Sequence, residues 1–145
     1  MVLLFPKDKG YTGSLNALYK EKIIESNNKF FDFFELNLEL LEFYKSLSDK
    51  LSIHILTSDV IQDAPDLQSY WKGTINHIFS ASKMGTHKSE PEAYNKALAE
   101  LNLNADEVIY IDDNLVNVEA AQKVGLHAVR YTNNSQVISE INRLI

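Results

Sequence analysis

Short apolar runs alternate with segments of helical periodicity along this chain, and that alternation constrains its fold most. The runs cover residues 2–5, 51–56, 75–79, 108–111 and 127–131. Runs this short that contain Val, Ile and Tyr are typical of strands buried on both faces. Because strands that alternate with helices are joined by parallel crossovers, the pattern predicts an open α/β sheet.

The helices are predicted from apolar side chains that recur every three or four residues. Ser89 and Glu92 have the spacing of a capping box, which predicts Ser89 as the N-cap of the following helix. Gly125 suits a left-handed C-cap. Residues 26–28 indicate a loop or a helix end, and residues 30–34 either begin the next helix or cover the mouth of a site. The helical spacing is found in residues 36–47, 94–101 and 118–124.

Length and composition exclude several classes of protein. The chain has 145 residues, which predicts one domain over residues 1–145. Its net charge of −6 argues against a nucleic-acid partner. The absence of cysteine excludes disulfides, zinc–thiolate sites and a cysteine nucleophile. No apolar run approaches the roughly 18 residues that span a bilayer, and the run at residues 2–5 is short for a signal peptide. We therefore expect a cytoplasmic protein with no membrane partner.

Polar groups follow several of the predicted strands, where ligands bind in open parallel sheets. Thr57 and Ser58 end one strand, Asp112 and Asp113 end another, and Asp8 follows the first. A lysine, residue 88, precedes the capping-box pattern. Adjacent carboxylates repel one another unless they share a cation, and Mg²⁺ takes one or two carboxylates together with phosphate oxygens. A lysine and a hydroxyl would then bind the remaining oxygens, so the set suits phosphoryl transfer.

Each of these features also has a structural interpretation. Residues 112–114 could form only a helix N-cap with acids favoured by the helix dipole. Thr57 and Ser58 could be turn hydroxyls, and Lys88 alone is usually a solvated charge. Their joint occurrence at strand ends and helix starts favours the functional interpretation.

Segments of this chain resemble three motifs of the haloacid dehalogenase-like hydrolase superfamily. Residues 88–94 (KSEPEAY) are similar to its lysine motif, K-P-D-P-x-x-Y. Residues 108–114 (VIYIDDN) and 117–121 (NVEAA) are similar to its acidic motif and the helix after it, and residues 53–58 (IHILTS) to its hydroxyl motif. The likeness is close over residues 51–131 and loose elsewhere.

The resemblance implies a phosphatase with a Rossmann-like three-layer sandwich, a mostly parallel sheet of about five strands, and Mg²⁺ as cofactor. It implies that Thr57 and Lys88 hold the phosphate with help from the backbone N–H of Ser58. Asp113 would ligate Mg²⁺, with Asp112 beside it directly or through water.

The first motif departs from the family, which places D-x-D-x-T after the first strand. In one register of residues 5–12 (FPKDKGYT), Pro6 stands at the nucleophile and Asp8 at the acid/base. In the other, Asp8 stands at the nucleophile, Gly10 at the acid/base and Thr12 at the threonine. We prefer the first, because the strand then ends where its apolar run ends. Either register leaves Asp8 as the remaining catalytic and metal-binding carboxylate, and a proline cannot form an aspartyl intermediate.

Two functions compete on these grounds. One is Mg²⁺-dependent phosphomonoester hydrolysis that works through Asp8, with standard catalysis impaired and the metal site weakened. The alternative is a catalytically silent module that keeps Thr57, Ser58 and Lys88 and binds phosphate or a protein. A receiver-type signalling domain fits less well, because its acidic pair would follow the first strand. The sequence leaves open whether the chain is an enzyme.

The chain offers no room for a large cap domain, and residues 12–35 are expected to form at most a small lid. By family analogy, an open rim suits a phosphorylated small molecule or protein as partner. A second copy of the chain could also close it, which would make the protein a homo-oligomer.

Overall fold

Residues 2–145 are described by the structure, a computed structural model, and they divide into two units. The first unit spans Leu3–Ile78, and the second spans Phe79–Ile145 together with Val2. The single domain over residues 1–145 stays a prediction.

The first unit begins with a strand pair that the sequence did not predict. Strand β1 runs antiparallel to β2, with Leu4 opposite Leu36 and Pro6 opposite Phe34. Residues 30–34 form a short helix and the first residue of β2. The phenylalanines at both ends of this stretch are buried and their rings stack at 4.8 Å. Burial of these two rings therefore favours the reversal of the chain that brings β2 alongside β1. In chain order the elements are β1 Leu4–Pro6, α1 Leu15–Tyr19, a π-helical turn Lys20–Glu25, α2 Phe30–Phe33, β2 Phe34–Leu36 and α3 Leu38–Leu47.

The rest of the first unit contains strand β3, His54–Thr57, which pairs with β4, His77–Ser80, a strand whose last two residues belong to the second unit. The backbone N–H of Asn76 donates to the carbonyl oxygen of Ile53 at 2.7 Å. In return, Oδ1 of Asn76 accepts from the backbone N–H of Ile53 at 2.8 Å. Thr57 closes β3 and is only 2 % exposed. After it come two 3₁₀ turns, Ile61–Asp63 and Pro65–Leu67, and helix α4, Gln68–Trp71.

The second unit contains the predicted parallel crossover. Strand β5, Ile109–Asp112, pairs in parallel with β6, His127–Arg130, and helix α6, Leu115–Val124, connects them. Val118 and Ala121 are buried on the helix, as the apolar spacing predicted. Helices α5, Pro91–Leu101, and α7, Asn134–Leu144, complete the unit.

The helix ends bear out one prediction and correct another. Gly125 ends α6 with φ 106°, in the left-handed conformation that favours glycine. Ser89, however, is not the N-cap of α5: Glu90 is, and no side chain caps this helix. The reason is Pro91 at the first helical position, which is preorganised for the helix and keeps the residue before it extended.

The α/β class without a large cap is therefore confirmed. The described strands pair two by two, in one antiparallel sheet, one parallel sheet and the β3–β4 pair. A single, mostly parallel sheet of about five strands stays a prediction. Across residues 2–145, no helix has both the length and the apolar character that crossing a membrane requires.

Candidate functional site

A buried ion pair joins two of the predicted site residues in the second unit. The Nζ atom of Lys88 lies 3.2 Å from Oδ2 of Asp112, and the two side chains are 10 % and 2 % exposed. Asp112 is the last residue of β5, and Lys88 lies three residues before α5 begins. A lysine withdrawn from water in this way is not the solvated surface charge of the structural interpretation.

Three further donors surround the Asp112 carboxylate. Oδ2 also accepts hydrogen bonds from the Tyr110 hydroxyl at 2.6 Å and from Nδ2 of Asn117 at 3.1 Å. Oδ1 accepts from the backbone N–H of Asn114 at 2.8 Å. A carboxylate offers about four lone-pair sites, so Oδ2 is fully engaged, and residues 2–145 leave one site open on Oδ1.

These donors keep Asp112 ionised despite its burial. Burial by itself raises the pKa of Asp112, because it disfavours the charged form. The Lys88 ammonium, the Tyr110 hydroxyl and the Asn114 N–H act in the opposite direction. Their combined effect holds the pKa of Asp112 well below its ordinary value.

Tyr94 holds the backbone of the same site. Its hydroxyl donates to the carbonyl oxygen of Lys88 at 2.6 Å, and lies 3.2 Å from the Tyr110 hydroxyl and 3.1 Å from the carbonyl oxygen of Asn117. The rings of Tyr94 and Tyr110 meet edge to face at 4.9 Å. Burial raises the pKa of Tyr94 to about 12 and the pKa of Tyr110 still further. Both phenols are therefore neutral donors at physiological pH.

We predict that Tyr110→Phe raises the pKa of Asp112, since it removes the shortest hydrogen bond to this carboxylate. A carboxyl with a depressed pKa stabilises the fold above its unfolded pKa, and that stability is lost as the pH falls through its folded pKa. The variant should therefore begin acid unfolding at a higher pH, and be about 1 kcal/mol less stable at pH 7. A ¹³C NMR titration of the Asp112 carboxyl measures the shift directly.

Tyr131→Phe is the matched control, because it also removes one tyrosine hydroxyl, which bonds Asn134 at 2.8 Å. An unchanged Asp112 titration in Tyr110→Phe would contradict the assignment of this hydroxyl as a donor to the carboxylate.

Asp113 differs from its neighbour, because its side chain is exposed. Its backbone carbonyl accepts from Nε of Arg130 at 3.4 Å. The N-cap of α6 is Asn114, whose Oδ1 accepts from the N–H of Val116 at 3.0 Å. The N-cap of α6 therefore lies within residues 112–114, as the structural interpretation predicted, and it is Asn114 rather than either aspartate.

The other predicted site residues belong to the first unit. Asp8 is exposed, and its Oδ1 accepts from the N–H of Gly10 at 2.9 Å, which is an Asx turn. Pro6 is the last residue of β1 and is partly buried. Thr57 closes β3, and Ser58 follows it exposed. The structure brings Lys88 and Asp112 into contact, and the roles of Asp8, Thr57 and Ser58 stay predictions.

The donor set of the second unit fits a sparse Mg²⁺ site. Counting the described residues, Asp112 has one lone pair left on Oδ1, and Asp113 carries an exposed carboxylate. Mg²⁺ is usually bound through one or two carboxylates and keeps several waters. Within residues 2–145, no three His, Asp or Glu side chains form a group that could hold a metal ion. Any Mg²⁺ there would depend on water and substrate oxygens for most of its ligands.

Sequence reasoning missed Tyr110 and Asn117. Tyr110 stands two residues before Asp112 on one strand, and alternate residues of a strand share a face. Asn117 lies in the first turn of α6 and is 8 % exposed. Strand periodicity could have identified the tyrosine, whereas the asparagine requires knowledge of where α6 begins.

Comparison with curated proteins finds a phosphatase. The chain is 28 % identical over 97 residues to the sesquiterpene phosphatase astK of Aspergillus oryzae. The match covers 66 % of this chain and 50 % of that protein, so the chain spans about half the length of this relative.

Solved structures with a similar fold include an enzyme and an uncharacterized protein. One is a HAD family enzyme from Bacteroides thetaiotaomicron, solved as an alanine variant in complex with magnesium and inorganic phosphate. Its TM-score is 0.62 at 16 % sequence identity, and the match covers 72 % of this chain and 60 % of that one. An uncharacterized protein from Corynebacterium glutamicum has a TM-score of 0.65 at 21 % identity, and covers 81 % of this chain and 85 % of its own. At these identities the likeness shows the fold alone.

The family itself is shown by a wider match. A model of the haloacid dehalogenase-like hydrolases matches residues 8–131. That range begins at Asp8, ends at Tyr131 and includes every site residue predicted from the sequence. The chain belongs to the haloacid dehalogenase-like hydrolase family.

Proposed function

We propose that this chain binds phosphate esters at a phosphatase-type site and hydrolyses them with impaired efficiency. The observation that carries the proposal is the buried pair of Lys88 and Asp112, 3.2 Å apart. Burying an ammonium is costly unless a partner compensates for the lost hydration. A site that keeps a buried ammonium beside the end of β5 is suited to an anionic ligand.

In this proposal Lys88, Thr57 and Ser58 bind the phosphate. The Lys88 ammonium has three N–H donors and gives one to Asp112, which leaves donors for phosphate oxygens. The Thr57 hydroxyl and the Ser58 N–H take the roles that the family resemblance gives them. The phosphatase activity named for the fungal relative supports this class of ligand.

Mg²⁺ is the cofactor that the family implies, and Asp113, Asp112 and Asp8 are the side chains that we propose to hold it. The ion would neutralise charge on a phosphate oxygen. Magnesium is present in structures of the Bacteroides relative, and the two carboxylates of the second unit fit it as described above.

The impairment follows from Pro6. A proline has no nucleophilic side chain and no backbone N–H, so no phosphoryl group can be transferred to it. Asp8 is the nearest carboxylate along the chain, and its exposed side chain is accessible to water. We propose that Asp8 acts as nucleophile or general base.

Hydrolysis by the Asp8→Asn variant tests this role. We expect slow, Mg²⁺-dependent hydrolysis of p-nitrophenyl phosphate and farnesyl phosphate by the full chain, and loss of that activity in Asp8→Asn. Phosphate release in the presence of MgCl₂ and of EDTA measures both effects. Asp32→Asn, another exposed aspartate of the first unit, should retain the activity. An unchanged rate in Asp8→Asn would remove Asp8 from the mechanism.

The alternative function is a silent phosphate-binding or protein-interaction module. Pro6 favours it, because this residue ends β1 where the resemblance places a nucleophile. The two functions differ in the hydrolysis assay: a silent module binds phosphate through Lys88 and releases none from either ester.

A further inference from the structure

The helical segment of residues 15–25 binds the loop that follows β3. We call residues 58–60 the β3 loop. Oδ1 of Asn16 accepts hydrogen bonds from the backbone N–H groups of Val60 at 2.9 Å and of Ile61 at 2.8 Å. The Nζ atom of Lys20 lies 2.5 Å from Oδ2 of Asp59. Three consecutive residues directly after Ser58 are thus held by one helical segment of the same unit.

Oδ1 of Asn16 supplies the acceptor that two backbone N–H groups at the start of a 3₁₀ turn lack. The first N–H groups of a helix have no partner within it, and Ile61 begins the 3₁₀ turn Ile61–Asp63. The N-cap of this turn, Val60, has no side-chain acceptor to offer. Asn16 supplies one from 44 residues away along the chain, so it caps the turn in place of a local residue.

Both ends of the β3 loop are fixed by burial. Thr57 before it is 2 % exposed, and Ile61 and Gln62 after it are fully buried. Ser58, by contrast, is exposed. With its ends buried and its last two residues bonded to Asn16 and Lys20, the loop has little freedom to move Ser58.

We propose that Asn16 is a positioning residue for the phosphate-binding segment Thr57–Ser58. The inference rests on the proposed function, which assigns phosphate binding to these two residues. Residues 12–35, which are predicted to form at most a small lid, thereby gain a second role, because their helix α1 sets the conformation of the β3 loop. Neither the lysine motif nor the acidic motif includes this residue.

Three variants test the proposal. Asn16→Leu has similar size but no acceptor, and Asn16→Asp keeps an acceptor for both N–H groups. Asn28→Leu is the matched control, because Asn28 lies just after the helical segment and its Nδ2 donates to the Lys22 carbonyl oxygen at 2.9 Å rather than bonding the loop. Two measurements are made on each full chain: the amide exchange rates of Val60 and Ile61, and the Kd of inorganic phosphate.

We expect Asn16→Leu to speed the exchange of both amides on the order of tenfold, because each amide loses the hydrogen bond that it donates to Asn16. The Kd of inorganic phosphate should rise on the order of tenfold as well, and Asn16→Asp should restore both values. Phosphate binding that is the same in Asn16→Leu and in the wild type would overturn the inference, as would unchanged exchange. If the wild type binds no phosphate while exchange still depends on residue 16, the proposed function fails and the anchoring of the loop stands.

Discussion

Replacing Lys88 with methionine is expected to lower the free energy of unfolding by about 3 kcal/mol. The variant keeps an unbranched side chain only one heavy atom shorter but leaves the Asp112 carboxylate, 2 % exposed, without its counter-charge. Removing one partner of a buried pair is costly because the remaining charge stays desolvated. Urea denaturation at pH 7 measures the difference.

Two further variants separate the ion pair from the general effect of losing a lysine. Lys123→Met, at an exposed position of α6, should change stability by less than about 0.5 kcal/mol. The double variant Lys88→Met with Asp112→Asn should recover much of the loss, because no unpaired charge remains. A Lys88→Met protein as stable as the wild type would contradict the account of a buried, charged pair.

The variant Pro6→Asp should gain phosphomonoesterase activity, by about a thousandfold or more over the wild type. It restores a carboxylate two residues before Asp8, the spacing of the family's first motif. The gain is large because catalytic groups that act as a unit lose most of their effect when one is missing. Release of phosphate from p-nitrophenyl phosphate in MgCl₂ is the measurement.

Pro6→Asn controls for the change of backbone at this position, since it restores the N–H but supplies no nucleophile. Pro6 is partly buried and pairs with Phe34 at the end of β1, so circular dichroism should first confirm that both variants fold. A folded Pro6→Asp protein without added activity would show that the site has diverged beyond its first motif.

The elements predicted from local patterns were found close to where they were expected. The runs at residues 108–111 and 127–131 correspond to the parallel strands β5 and β6. Two short apolar runs joined by an amphipathic helix typically form neighbouring parallel strands, because the helix then covers the sheet. The contact of Lys88 with Asp112 also follows from local order, since the lysine precedes one helix and the aspartate ends the next strand.

What the sequence could not predict depends on contacts between distant residues. Strand β2, Phe34–Leu36, is defined by its pairing with β1 and by the buried ring of Phe34, and its three residues are too few to show a strand period of their own. The hydrogen bonds that Val60 and Ile61 donate to Asn16 join residues far apart in the chain. No local pattern distinguishes this asparagine from one that is solvated.

The error at Ser89 has a local cause. The capping-box spacing was present, but Pro91 shifted the helix start by one residue and left Glu90 as the N-cap. A proline at the first helical position is therefore the stronger signal of where this helix begins.

Titration of inorganic phosphate into the full chain tests the central claim most directly. Isothermal titration calorimetry should show one binding site in the wild type, a large loss of affinity in Lys88→Met and a smaller loss in Thr57→Val, with Lys123→Met binding as the wild type does. Absence of binding in the wild type, or equal affinity in Lys88→Met, would contradict the assignment of Lys88 as a phosphate ligand.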